Sequence, residues 1–203
     1  MLIYCQCMFK KILNYPILYK LSQKIFFADN FRKKILKKFI KDKNLNILDI
    51  GCGPGNMIKY LNFKRYYGFD TDKKYIEYAK KKYKKCHFFC EIFSKSSIKK
   101  IGKIDTVILF GLLHHINNDE VNQLLKNIKL TLKNKYKIII LDPVYEDGQN
   151  LVAKFLINND RGKFVRTSKE YIELFKKLNF NPIFKIYHQK IVPYTWIVSV
   201  IEK

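Results

Sequence analysis

Apolar positions recur at helical spacing over residues 17–41. Ile17, Leu18, Leu21, Ile25 and Phe26 form one stripe, and Phe31, Ile35, Leu36, Phe39 and Ile40 form another. Asp29-Asn30 stands between them as a break and N-cap. From residue 45 the pattern changes. Short apolar runs at 45–50, 66–70, 86–90, 104–110 and 136–142 alternate with amphipathic stretches at 54–62, 72–84, 118–132 and 150–158. That alternation predicts a parallel sheet whose strands are joined by crossover helices. Thr167 to Glu170 has capping-box spacing and predicts a helix that runs to about Leu178 and stops at Asn179, with Pro182 beyond. The last two runs, 182–188 and 191–201, have no helix between them and must pair as an antiparallel hairpin.

Composition narrows the class. The chain has 203 residues, 48% of them hydrophobic and 15% aromatic, enough for one ordinary core and too apolar for disorder. Its formal charge of +23 points towards polyanions, but 36 of the 40 basic residues are lysine, scattered along expected helix faces such as Lys80-Lys81-Lys82. That pattern reads first as solvated surface and second as a polyanion site. The five cysteines, Cys5, Cys7, Cys52, Cys86 and Cys90, lack the paired spacing of zinc ligands, so no metal is expected. An odd cysteine count without a secretory signal fits a reducing, cytoplasmic setting. No stretch reaches the length of a membrane span, although the N-terminal apolar faces with their lysines could rest on a membrane surface.

The chemistry concentrates where the first β run ends. Leu48-Asp49-Ile50-Gly51-Cys52-Gly53-Pro54-Gly55 places three of only eight glycines at alternate positions. Glycine there permits positive φ and close approach of a ligand to the backbone, at the carboxyl end of a buried strand. Asp70 ends the second strand, where a carboxylate can accept hydrogen bonds from both ribose hydroxyls. The G-x-G-x-G spacing differs from the G-x-G-x-x-G of dinucleotide-binding folds.

Leu48–Gly55, Tyr67-Gly68-Phe69-Asp70, Ile104-Asp105-Thr106-Val107 and Gly111-Leu112-Leu113-His114-His115-Ile116 occur in an order that resembles the class I S-adenosylmethionine (SAM)-dependent methyltransferases, over nearly the whole chain. The resemblance implies an α/β, Rossmann-like seven-stranded sheet, mostly parallel, with an antiparallel last strand and helices on both faces. It implies SAM as cofactor, with Asp49 near the amino end of the methionine moiety, Gly51, Gly53 and Gly55 backing it, Asp70 on the ribose, and Glu91 and Ile92 beside the adenine. Leu132-Lys133-Asn134-Lys135-Tyr136 departs from the proline-glycine turn common in relatives.

On the reacting side, His114 or His115 is expected to line the methyl group, and either could take a substrate proton. Asp142-Pro143-Val144-Tyr145 looks like the motif of amino-methylating nucleic-acid enzymes but follows strand five rather than strand four, so Asp142 is read as a pocket-edge residue. Tyr145 leads into Asp160-Arg161-Gly162-Lys163-Phe164-Val165-Arg166, where two of the four arginines fall close together. Arg161 or Arg166 would grip an anionic group on the acceptor, or lock a lid in place through Asp160. The expected organisation is a single methyltransferase domain over 1–203: an N-terminal helical cap (1–43), a cofactor-binding half (44–142) and an acceptor-side half (143–203) with a lid at 145–167. The leading expectation is methyl transfer to an oxygen or nitrogen atom of a small molecule. An RNA or other polyanion methyltransferase and a non-catalytic SAM-binding protein are the alternatives. Oligomeric state is left open.

Overall fold

The computed structural model describes residues 28–189 and 193–203. The stripe at 17–26 and the Cys5-Cys7 pair lie outside them. In chain order the elements are α1 (Ala28–Phe39), β1 (Leu45–Ile50), β2 (Phe63–Asp70), α2 (Lys73–Lys82), β3 (His87–Cys90), β4 (Ile104–Phe110), α3 (Asn118–Thr131), β5 (Leu132–Tyr145), α4 (Leu151–Asn158), β6 (Arg166–Thr167), α5 (Ser168–Lys176), β7 (Ile183–Gln189) and β8 (Tyr194–Glu202). The main sheet has the order β3-β2-β1-β4-β5-β8-β7, and the short β6 pairs with β5. Strands β1 to β5 run parallel, while β8 is antiparallel to both β5 and β7. The alternating pattern and terminal hairpin therefore produce the expected α/β sheet, with the order reversing between β1 and β4. In such sheets ligands bind at the carboxyl ends of the strands beside the switch point.

Two apolar layers flank the sheet. On one face α1, α2 and the turn after β1 bury Ile35, Leu36, Met57, Ile58, Ile76 and Ala79 against Ile47, Ile108 and Ile139. On the other, α3 and α5 bury Val121, Leu125, Ile128, Tyr171 and Phe175 against Leu48, Val107, Ile138 and Ile140. Alternate residues of the central strands thus serve opposite layers, as the period of two requires. Phe31 carries α1 across the sheet edge, its ring 5.1 Å from Tyr187 and 6.3 Å from Trp196.

Three sequence expectations need correction. The stretch 54–62 is not an α-helix: turns lead to a short 3-10 segment at Ile58–Tyr60, and β2 then begins at Phe63, three residues earlier than expected. Gly55 in the left-handed region (φ 76) breaks helical propagation, and the apolar Met57 and Ile58 are buried by the turn itself. The fifth strand, expected at 136–142, spans Leu132–Tyr145, because α3 passes directly into β5 and Leu132 already pairs with Ile104. The two-residue β6 was not anticipated; it is too short to leave a periodic signal.

Candidate functional site

After Ile50 the chain turns through Gly51, Gly53 and Gly55, all at positive φ (75, 54 and 76°). The Gly51 and Cys52 N–H groups both donate to the Phe69 carbonyl (2.8 and 3.1 Å), which ties the turn to the end of β2. Asp70 lies there. Its Oδ2 accepts from the Gly53 N–H (2.8 Å) and its Oδ1 from the Asp72 N–H (2.9 Å), and each oxygen has a second lone pair for a ligand hydroxyl. Asp72, not Asp70, caps α2, accepting from the Lys74 and Tyr75 N–H groups. Burial raises the Asp70 pKa, and those backbone bonds restrain the rise.

Below the turn Asp49 is 3% exposed and accepts from the Tyr66 hydroxyl at 2.5 Å. Burial pushes its pKa up to about 7; the Tyr66 bond and the nearby Arg32 charge oppose the rise. Arg32 reaches in from α1, 8% exposed, and would lie 3.3 Å from a Cβ placed on Gly111. Arg32, Asp49, Gly51, Asn56, Met57 and Phe110 line a small cavity. Among the described residues, the buried Asn56 Nδ2 there has no hydrogen-bond partner. Buried polar atoms are rarely left unpaired, so this one suits a polar ligand. The turn's Cys52 is buried and its thiol pushed well up by that burial, which makes it inert.

Glu91 and Ile92 follow β3 at the rim of the same edge. Glu91 binds Ser97 Oγ (2.8 Å) and Lys100 Nζ (2.5 Å), and these bonds hold its carboxyl below the usual range. Ile92 is 75% exposed, an apolar side chain with nothing of the described residues covering it.

The loop after β4 begins at Gly111 (φ 67) and runs into the short 3-10 segment Leu113–His115. His114 is buried. Its Nδ1 lies 2.8 Å from Asp142 Oδ1, and its Nε2 lies 4.0 Å from Asp160 Oδ2. Asp142 also accepts from the Tyr171 hydroxyl, and Asp160 from the Tyr194 hydroxyl (2.6 Å). Burial disfavours charge on the imidazole, but Asp142 and then Asp160 outweigh it and raise the His114 pKa. His115, solvent-facing with its ring 4.0 Å from that of His114, is pushed down to about 4 by desolvation first and by its neighbour's charge second. The two carboxylates thus favour the cationic form of His114, whereas His115 is the neutral imidazole at neutral pH. Asp142 is wholly buried in this cluster and out of reach of a substrate, more interior than a pocket-edge residue.

The lid meets this loop closely. The Phe164 N–H donates to the His114 carbonyl (2.9 Å), and a Cβ on Gly162 would overlap the His114 imidazole. Arg166, 5% exposed, donates to the carbonyls of Leu113 (2.7 Å), Ile116 (2.8 Å) and Phe164 (3.0 Å) and to Asn118 Oδ1 (2.8 Å). Its guanidinium is therefore committed to holding the lid, through loop carbonyls rather than through Asp160, and is not presented to an acceptor. Arg161 is exposed, with its backbone N–H on Asp160 Oδ1. Tyr145 bonds Asn158 of α4 (2.6 Å).

The family profile described as a methyltransferase domain matches residues 47–135, the span that runs from β1 through the glycine turn, Asp70 and the His-His loop into β5. Across those residues the chain matches this methyltransferase domain family. Over 145 residues it is 28% identical to a methyltransferase-named protein, 235L, of Invertebrate iridescent virus 6, covering 68% of this chain but only 53% of that one, so it spans about half that relative's length. Over 193 residues it is 24% identical to an uncharacterized methyltransferase of Alkaliphilus oremlandii, covering 86% and 88% of the two chains. The crystal structure of magnesium protoporphyrin IX methyltransferase from Synechocystis with bound SAM has the same fold (TM-score 0.63, 14% identity, 92% of this chain and 83% of that one).

The cradle fits SAM, the ligand bound in that neighbour: three positive-φ glycines, a carboxylate with spare lone pairs, and an unpaired Asn56 amide beside an acid and an arginine. Sequence reasoning missed Arg32, Tyr66 and Tyr194, and it paired Asp160 with an arginine side chain rather than with Tyr194 and His114. Arg32 carried a signal, being one of four arginines among 36 lysines, on the stripe that also holds Phe31 and Ile35. The two tyrosines carried none, since their partners lie 17 and 34 residues away.

Proposed function

We propose that this methyltransferase transfers the SAM methyl group to an oxygen or nitrogen atom of a small molecule held at the carboxyl edge of the sheet, beside the lid. When bound, SAM supplies an electrophilic sulfonium methyl; the chain supplies position. Asp70 accepts the ribose hydroxyls, Asp49 faces the ammonium, Arg32 faces the carboxylate, and Glu91 with Ile92 flanks the adenine. Gly51 and Gly53 let the backbone approach. Alignment of this kind supplies up to roughly 7–11 kcal/mol of a barrier where geometry is ideal.

The observation that carries the small-molecule reading is a cavity of about 300 Å³ between α4 and the β7–β8 hairpin, lined by Asn150, Ala153, His188, Tyr194 and Thr195. Its volume falls at the lower end of small-molecule sites. Tyr194 connects it through Asp160 to His114. His115, unprotonated at neutral pH, takes the acceptor's proton or its hydrogen bond, and the exposed Arg161 meets any anionic group. The solved neighbour named as a magnesium protoporphyrin IX methyltransferase is consistent with an acceptor of this class.

The test is methyl-labelled SAM incubated with cell extract and separated into small-molecule, lipid, nucleic-acid and protein fractions. Label is expected in the small-molecule fraction, and Arg161→Lys should raise the acceptor KM with kcat little changed. Label confined to RNA would overturn the reading.

A further inference from the structure

The two helical layers that flank the sheet share one chain and one composition, but their charges differ. Over 25 residues, α1, the Ile58–Tyr60 segment and α2 carry eleven basic residues against two acidic ones, Asp29 and Glu77. Over 27 residues, α3, α5 and the 3-10 segment Ser97–Lys100 carry six basic against four acidic. A lysine bias of composition alone would load both layers alike. It has not: one layer is +9 and the other +2.

The basic layer forms one surface. Tyr83, just past α2, stands 3.0 Å from where a Gly55 Cβ would be, against Ile58 of the 3-10 segment. Lys33 of α1 lies over the Tyr60 ring of that segment (5.2 Å), with Lys59 on the same ring (4.7 Å), and Lys82 lies over Tyr83 (5.1 Å). Half-buried aromatic rings are thus interleaved with cations. The layer also lacks apolar anchors. The exposed large hydrophobics among the described residues (Ile92, Leu130, Leu151, Val152, Phe155, Phe164 and Ile183) all lie elsewhere. A membrane-surface helix needs an apolar face to insert, which this layer does not offer. Cations that track a phosphate backbone, with π-faces between them, are the chemistry of single-stranded nucleic-acid binding.

We infer that the layer formed by α1, Ile58–Tyr60 and α2 is a docking surface for single-stranded RNA. None of its residues lines the cavity assigned to the acceptor, so RNA held there is a partner and not the methyl acceptor. Binding at this surface is independent of the acceptor proposed above, and its test uses no methyl transfer.

A fluorescein-labelled oligouridylate of about 16 nucleotides is titrated by anisotropy over a potassium chloride series. The wild type should bind with an affinity that falls log-linearly with salt, about 0.7 per phosphate contacted. The variant Lys37→Gln/Lys38→Gln/Lys59→Gln/Lys81→Gln changes four exposed side chains. It should lose at least tenfold in affinity at low salt, with a slope shallower by about three. The variant Lys126→Gln/Lys129→Gln/Lys169→Gln/Lys176→Gln removes the same charge from the other layer and should stay within twofold. Circular dichroism melts confirm that each variant is folded. Equal losses in both variants would reduce the effect to net charge and overturn the inference. So would absent binding, equal affinity for a duplex of the same length, or retention by phosphatidylglycerol vesicles in place of the oligonucleotide.

Discussion

Replacing Arg166 by methionine keeps the length of the side chain and removes its guanidinium. The structure gives four hydrogen bonds to lose, three of them bridging the lid to the His-His loop: Leu113 O at 2.7 Å, Ile116 O at 2.8 Å and Asn118 Oδ1 at 2.8 Å. Hydrogen bonds to a charged group contribute about 1.5–3 kcal/mol each, so simple addition of the three gives roughly 4.5–9 kcal/mol. Addition overshoots within one network, and loop carbonyls near the surface regain water once the lid loosens. The expected loss is therefore about 3–4 kcal/mol, a large share of the roughly 5–15 kcal/mol that holds a domain folded. Urea unfolding followed by tryptophan fluorescence should show a lower midpoint. Arg166→Lys should recover little, because an ammonium cannot reach carbonyls on both sides of the planar fork. SAM affinity should change less than about twofold, because Arg166 touches none of the cofactor cradle. A loss below about 1 kcal/mol, or a tenfold loss of SAM affinity at unchanged stability, would refute Arg166 as a lid lock.

Three further outcomes follow from the site. Asp49 has a raised folded pKa of about 7, so its ionised form is disfavoured in the ligand-free protein and is what an ammonium group would stabilise. SAM affinity measured between about pH 5.5 and 7.5 should therefore rise with pH, and Tyr66→Phe should move the midpoint upward by removing the bond that lowers this pKa. Gly162→Ala must displace the His114 ring or the lid; thermal unfolding should report a loss of about 1–3 kcal/mol, and a neutral result would mean that the lid does not seat on His114 as described. A thiol reagent at neutral pH should label the exposed Cys90 well before the buried Cys52, and the reverse order would contradict the inertness assigned to Cys52.

What was legible in the sequence was what local rules control. Thr167 accepts from the Glu170 N–H, and Glu170 returns a bond to Thr167, because a capping box needs only four consecutive residues. Asn179 stops the chain after α5 in the left-handed region (φ 54), a conformation that asparagine tolerates. The glycine turn and Asp70 meet because adjacent parallel strands bring their carboxyl ends together, Asp49 opposite Gly68 in register. The contacts that decide the reacting side are of another kind. Arg166 binds carbonyls about 50 residues earlier, and His114 is clasped by carboxylates from β5 and from the lid. No periodicity or cap records such pairings. The spacing of 161 and 166 drew attention to both arginines and could not say that one faces inward and the other solvent. Helical spacing over 54–62 misled for a related reason. Burial of Met57 and Ile58 needs only a turn when Gly55 forbids a helix to propagate through it.

The central claim is that Asp70 and the glycine turn hold SAM. Asp70→Asn leaves the shape of the side chain but removes the charge and one acceptor facing the Gly53 and Asp72 N–H groups. The direct measurement is isothermal titration of SAM into the wild type and into this variant, each shown to be folded by circular dichroism. Saturable binding by the wild type and at least a tenfold weaker Kd for Asp70→Asn, a loss of about 1.4 kcal/mol or more, is the predicted result. A folded wild type that binds no SAM, or an Asp70→Asn variant that binds it within twofold, would contradict the account.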